Sequence, residues 1–132
     1  LTAASLALTA CGIFDRHSVS TEEGWSTWSA EAVQSASSAG RPVFIDFTAA
    51  WCITCQANKL AVLDREEVVS RMSALGYVRF LADWTNKDPA ITKELAKYGR
   101  TGVPLYVLIY KDGTVKVLPE LLTTGTVLDA LK

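Results

Sequence analysis

Trp51-Cys52-Ile53-Thr54-Cys55 holds two side chains whose type and spacing could do redox chemistry. A thiol attacks as its thiolate, so the attacking cysteine must sit where negative charge is stabilised. The apolar run Val43-Phe44-Ile45-Asp46-Phe47 reads as a strand ending near Thr48, Ala49-Ala50-Trp51 as a short bend, and Cys52 as the start of a helix. Unpaired backbone N–H groups and the helix dipole at such a start favour an anion. Cys52 is therefore expected to attack. Two intervening residues place Cys55 about one helical turn on, within reach of a mixed disulfide at Cys52, and Cys55 is expected to resolve it. A structural zinc site fits poorly: it takes about four ligands, and beyond this pair only Cys11 and His17 remain, both in the N-terminal segment. A purely structural bridge also fits poorly, because so small a loop restrains the unfolded chain little. No metal is expected, and no cofactor other than the reversible Cys52–Cys55 disulfide.

Three further positions bear on that chemistry. Asp46 interrupts the apolar strand six residues before Cys52. A carboxylate buried there is costly and holds a proton more readily than usual, which suits a proton acceptor for Cys55; the other reading is a hydrogen-bonded core acid or an edge residue. Pro104, in Gly102-Val103-Pro104, precedes a strand, where proline removes one backbone donor and can adopt the cis form used in tight turns. Trp51, beside the nucleophile, either shields it and offers a flat contact surface or simply packs; Trp25 and Trp28 are read as packing residues.

The elements that must position these residues follow from periodicity and end signals. Ser29 caps a helix running to about residue 39, which Gly40 closes and Pro42 keeps from continuing. The strand after it is apolar almost throughout, as expected of a strand covered on both faces. Residues 56–63 are helix-forming, and Asp64 with Glu67 three places on suggests the cap of a further helix to about residue 75. Residues 77–82 form a second strand, and Asp88-Pro89 opens a helix to Tyr98 that Gly99 closes. Residues 105–110 and 114–118 are strands joined by Lys111-Asp112-Gly113, a hairpin signal, and residues 124–131 form a last helix. A βαβ half followed by a ββα half predicts an α/β fold, a mixed central sheet with four core strands and helices on both faces.

With 132 residues, 49% of them hydrophobic, the chain has room for one core and not for a second full-sized domain. A net charge of −1 with no basic block argues against a nucleic-acid partner. Residues 1–24 read as an apolar end and a polar linker, residues 25–132 as the domain. The apolar stretch is shorter than the roughly 20 residues that span a bilayer and reads as a piece of something longer. Leu8-Thr9-Ala10-Cys11 fits the small-residue pattern before a lipid-modified cysteine; the stretch also fits a transmembrane stub or an ordinary apolar terminus. The first two readings put the domain beside a membrane.

Residues 43–55 together with Gly102-Val103-Pro104 resemble the thioredoxin superfamily, over nearly all of the chain after Arg41. The resemblance implies that Asp46 is the buried acid, that Pro104 is a cis proline facing the dithiol, and that Val103 offers its backbone to a bound partner. A narrower resemblance runs through Phe47-Thr48-Ala49-Ala50-Trp51-Cys52, Ala82-Asp83-Trp84-Thr85, residues 99–106 and residues 118–123: these are similar to the C-terminal periplasmic domain of DsbD-type thiol:disulfide interchange proteins. It implies a protein-disulfide reductase at the periplasmic face of a bacterial membrane. Electrons would come from a membrane-embedded domain, itself fed by cytoplasmic thioredoxin, and pass to periplasmic acceptor proteins. One departure stands out: where many members carry an acidic residue seven positions after the first cysteine, this chain has Lys59. A cation there would favour the thiolate that a carboxylate would oppose, unless Lys59 points to solvent.

Two other functions compete with the relay: a free-standing thioredoxin-like lipoprotein anchored through Cys11, and a peptide-binding module with inert cysteines. The intact Cys pair argues against the last.

Overall fold

The computed structural model describes residues 24–132, so the readings placed on Cys11, His17 and the rest of residues 1–23 lie outside the described residues. The chain runs β1 (Trp25–Thr27), α1 (Ala30–Ser38), β2 (Val43–Thr48), α2 (Ile53–Asn58) continued by a π-helical turn (Lys59–Leu63), α3 (Glu66–Ala74), β3 (Val78–Asp83), α4 (Pro89–Lys97), β4 (Leu105–Ile109), β5 (Val115–Val117) and α5 (Thr124–Ala130). The sheet order is β1-β3-β2-β4-β5, with β1 and β2 parallel to β3 and β4 antiparallel to both β2 and β5. The mixed sheet with helices on both faces is as expected, but it has five strands rather than four. The additional strand is β1, whose three residues are too few to show a period of two.

β2 is the central strand, buried from Val43 to Phe47. Its alternation divides the core. Val43, Ile45 and Phe47 pack with Trp28, Leu105 and Leu95 on one face, whereas Phe44 packs with Tyr106, Leu108, Leu63 and Met72 on the other. Asp46 keeps the parity of Phe44 and so lies on the face covered by α2, the π turn, α3 and α5. Trp25 and Trp28 are packing residues, each 9% exposed, one in each core.

Local signals set most boundaries. Ser29 accepts the Ala32 N–H at 3.0 Å to cap α1, and Gly40 follows with φ +75°. Asp88 accepts the N–H groups of Ala90 and Ile91, with Pro89 at the first turn of α4. Gly113, at φ +86°, turns the β4–β5 hairpin. One expectation fails around the second helix. The helix begins at Ile53 with Cys52 as its N-cap, as expected, and widens into the π turn after Asn58. Asp64 does not cap α3, whose first flanking residue is Arg65; Asp64 closes the π turn and pairs with Lys59 at 3.3 Å. No helix among the described residues is long and apolar enough to cross a membrane.

Candidate active site

Cys52 and Cys55 are joined as a disulfide with their Cα atoms 5.2 Å apart, at the point where β2 hands over to α2. Cys52 occupies the N-cap: its Sγ accepts the Cys55 N–H at 3.2 Å, filling the place a serine or aspartate side chain takes at an ordinary helix start. An acceptor at that position gains from negative charge, so a Cys52 thiolate would be held by the same N–H. The bend before it is fastened twice to the Ala49 carbonyl, by the Cys52 N–H at 3.1 Å and the Gln56 side-chain amide at 3.0 Å. Cys52 is 8% exposed and Cys55 2%, so an incoming sulfur meets Cys52 first.

Ala49, Cys52 and Cys55 form a small apolar cluster of their own, against which Val103 packs. The Val103–Pro104 bond is cis and Pro104 is buried, and Val103 lays the loop before β4 against the dithiol. Asp46 is 4% exposed, on the α2 side of β2, directly opposite Tyr106 of β4. The structure thus brings Cys52, Cys55 and Val103 together, with Pro104 next in the chain, and leaves Asp46 buried on the face of β2 beside Tyr106.

Trp51 is 52% exposed, so it is a surface residue beside Cys52 and not part of the core. Its orientation is held: Nε1 donates to the Thr85 carbonyl at 3.0 Å, while the neighbouring Ala50 N–H donates to Thr85 Oγ1 at 2.9 Å. Thr85 is in turn hydrogen-bonded through both its N–H and its hydroxyl to the Asp83 carboxylate. The Trp84 ring lies 5.9 Å from that of Trp51, and the Lys87 ammonium sits over both rings, at 5.9 Å from Trp51 and 5.5 Å from Trp84. With Ile53, 86% exposed, Trp51 forms an apolar rim around the buried sulfurs. The cavity of about 430 Å³ lined by Thr27, Trp28, Asp83 and Ile91 contains neither cysteine.

Three residues of this region carry no signal in local spacing: Thr85, Asn58 and Tyr106. Asn58, 4% exposed, stands one turn after Cys55 on the buried side of α2. Its amide nitrogen donates to Tyr106 Oη at 2.9 Å and to the Glu120 carbonyl at 2.6 Å, and its oxygen accepts the Leu122 N–H at 3.1 Å. Burial, and secondarily the Asp46 charge, push the Tyr106 phenol well above its ordinary range. Lys59 follows Asn58 and pairs with Asp64. Among the described residues no group of three or more His, Cys, Asp or Glu could hold a metal ion.

The comparisons agree with this geometry. A family model described as thioredoxin-like matches residues 24–111. The chain is 35% identical over 82 residues to thiol:disulfide interchange protein DsbD 1 of Pseudomonas aeruginosa; the match covers 62% of this chain but only 13% of that protein. The oxidised C-terminal domain of Neisseria meningitidis DsbD superposes with a TM-score of 0.63 at 23% identity, over 78% of this chain and 93% of that one. A thioredoxin from Thermus thermophilus gives 0.61 at 22% identity, over 81% and 82%. At these identities the two structures speak for the fold, and the family-model match goes further: the chain belongs to the thioredoxin-like family.

Proposed function

We propose that the protein is a thiol:disulfide oxidoreductase working as a reductase. In the first step the Cys52 thiolate attacks a disulfide of a partner protein; one partner sulfur becomes bonded to Cys52 and the other leaves as a thiolate that takes up a proton. In the second step Cys55 gives its proton to Asp46, and the Cys55 sulfur attacks Cys52 Sγ. The Cys52–Cys55 bond forms, the mixed disulfide breaks, and the partner departs fully reduced. Trp51 and the backbone of Val103, beside Pro104, are the surface on which the partner chain rests. The observation that carries this reading is the placement of the Cys52–Cys55 disulfide: its outer sulfur caps α2, and its inner sulfur is buried one turn into that helix.

The finer assignment rests on the likeness to DsbD proteins: electrons arrive from a membrane-embedded donor and pass to periplasmic proteins, at the periplasmic face of a bacterial membrane. Residues 1–24 would tether the domain of residues 25–132 there, through a transmembrane segment or a lipid on Cys11. The direct test is Cys55→Ser. With the resolving sulfur gone, mixed disulfides at Cys52 should accumulate on exposure to oxidised protein substrates and disappear on adding dithiothreitol. A Cys55→Ser protein that collects no adducts would show that the order of attack is wrong.

A further inference from the structure

Cys52 and Cys55 are bonded to one another, and the helix that carries Cys55 has an anchorage of its own beyond the bend. Cys52 is fixed by the bend, through its own N–H to Ala49 and through Gln56 to the same carbonyl. Gln56 is itself in α2, one residue after Cys55, so the bend holds the first turn, and the end of the helix has a separate fastening. That end is fastened by Asn58, three residues after Cys55 and the other buried residue of this helix. Its three hydrogen bonds go to Tyr106 of β4 and to the backbone of Glu120 and Leu122, and they use both amide hydrogens.

Tyr106 makes the link informative. It lies directly across the ladder from Asp46 on the same face, and it stands two residues after Pro104 on the strand that the cis-proline loop leads into. The ring is fully buried, so its position is set by packing. One hydrogen bond of 2.9 Å therefore ties the helix carrying Cys55 to the strand that flanks Asp46 and begins beside Pro104. Immediately after Asn58 the helix widens into the π turn Lys59–Leu63, which lets Asn58, Val62 and Leu63 all face inward. Single π turns of this kind are concentrated at functional sites.

We propose that Asn58 and Tyr106 are a positioning pair for the resolving half-reaction: their hydrogen bond sets the depth of Cys55 over Asp46, and so governs the second step of exchange while leaving the first to the bend. The inference rests on the function proposed above. An untethered turn would let the thiol drift from its acceptor, and misplacement on the scale of an ångström costs a proton transfer or displacement heavily.

The test separates the two steps by stopped-flow and quench with a small disulfide substrate, in the wild type, Asn58→Ala, Tyr106→Phe and the double variant. Tyr106→Phe removes one oxygen and keeps the ring, so it reports even if Asn58→Ala folds poorly. Both single variants should form the mixed disulfide at Cys52 within about twofold of the wild-type rate and resolve it about tenfold more slowly, the worth of one buried hydrogen bond. The double variant should resolve no more slowly than the slower single one, because both substitutions remove the same link. A merely structural role would slow both steps together, and that result, or wild-type resolution in Tyr106→Phe and Asn58→Ala, would overturn the pair. A wild type that exchanges no disulfide at all would overturn the proposed function instead, and the two failures are distinct.

Discussion

The proposed reaction divides its work among three residues: a buried carboxylate, a buried sulfur and an outer sulfur at a helix cap. Asp46 is enclosed on the face of β2 that α2 covers, a place where an acid contributes nothing to packing that a leucine would not do better. Its use is chemical in this account. Asp46→Asn should slow resolution by at least about tenfold across neutral pH, in the range that loss of a positioned base produces. Its thermal midpoint should not fall, because the substitution removes a charge from an apolar site. Rapid-quench kinetics alongside a melting curve check both, and unchanged exchange rates would remove Asp46 as the proton acceptor. Lys59 sharpens a different point. Its ammonium is engaged with Asp64, so its charge is partly offset before it can act on a thiolate.

At the scale of elements, the loop after β3 is what holds Trp51 beside Cys52. Thr85 accepts from Ala50 through its side chain and from Trp51 through its carbonyl, and is itself fastened to Asp83. Thr85→Val keeps the shape and loses the hydroxyl; it should cost about 0.5–1 kcal/mol in urea unfolding and raise the mobility of Trp51 seen by fluorescence anisotropy. No change in either would mean the latch does not order the tryptophan. Much of this framework is legible in the chain because its signals are local. Ser29, Asp88-Pro89 and Asp112-Gly113 each act within a few residues, and the unbroken apolarity of β2 follows from cover on both faces. What escapes such reading is long-range or too short. β1 exists only because Trp25, Ser26 and Thr27 find β3 more than fifty residues away. Asp64 has the spacing of a cap, yet the π turn moves it by a residue and gives it to Lys59. Cys52 and Asp46 announce themselves by type and position; Asn58 and Tyr106 are 48 residues apart and become a pair only in the folded chain.

For the molecule as a whole, the two cores on either side of one sheet bury phenols as well as hydrocarbon. Tyr106, Tyr77 and Tyr98 all hold their protons above the ordinary phenol range, burial being the first cause in each. The folded chain thus keeps protons that the unfolded chain gives up near pH 10, and the resulting stability is complete below that value and lost as pH rises beyond it. The melting temperature should therefore fall between about pH 9 and 11, and Tyr106→Phe should flatten that slope; a flat profile in the wild type would show that these phenols do not stay protonated in the fold. At this scale the dithiol is a nearly buried pair with Cys52 the more accessible sulfur, rimmed by Trp51 and Ile53, and its direction of use is an equilibrium property of the domain. The most direct test is the equilibrium of Cys52–Cys55 with a dithiothreitol or glutathione buffer, read by thiol trapping and mass. The account predicts one reversible two-electron couple with a potential near or below about −270 mV, that of a reductant; a value near about −120 mV, that of a protein oxidant, or no reversible couple, would contradict it.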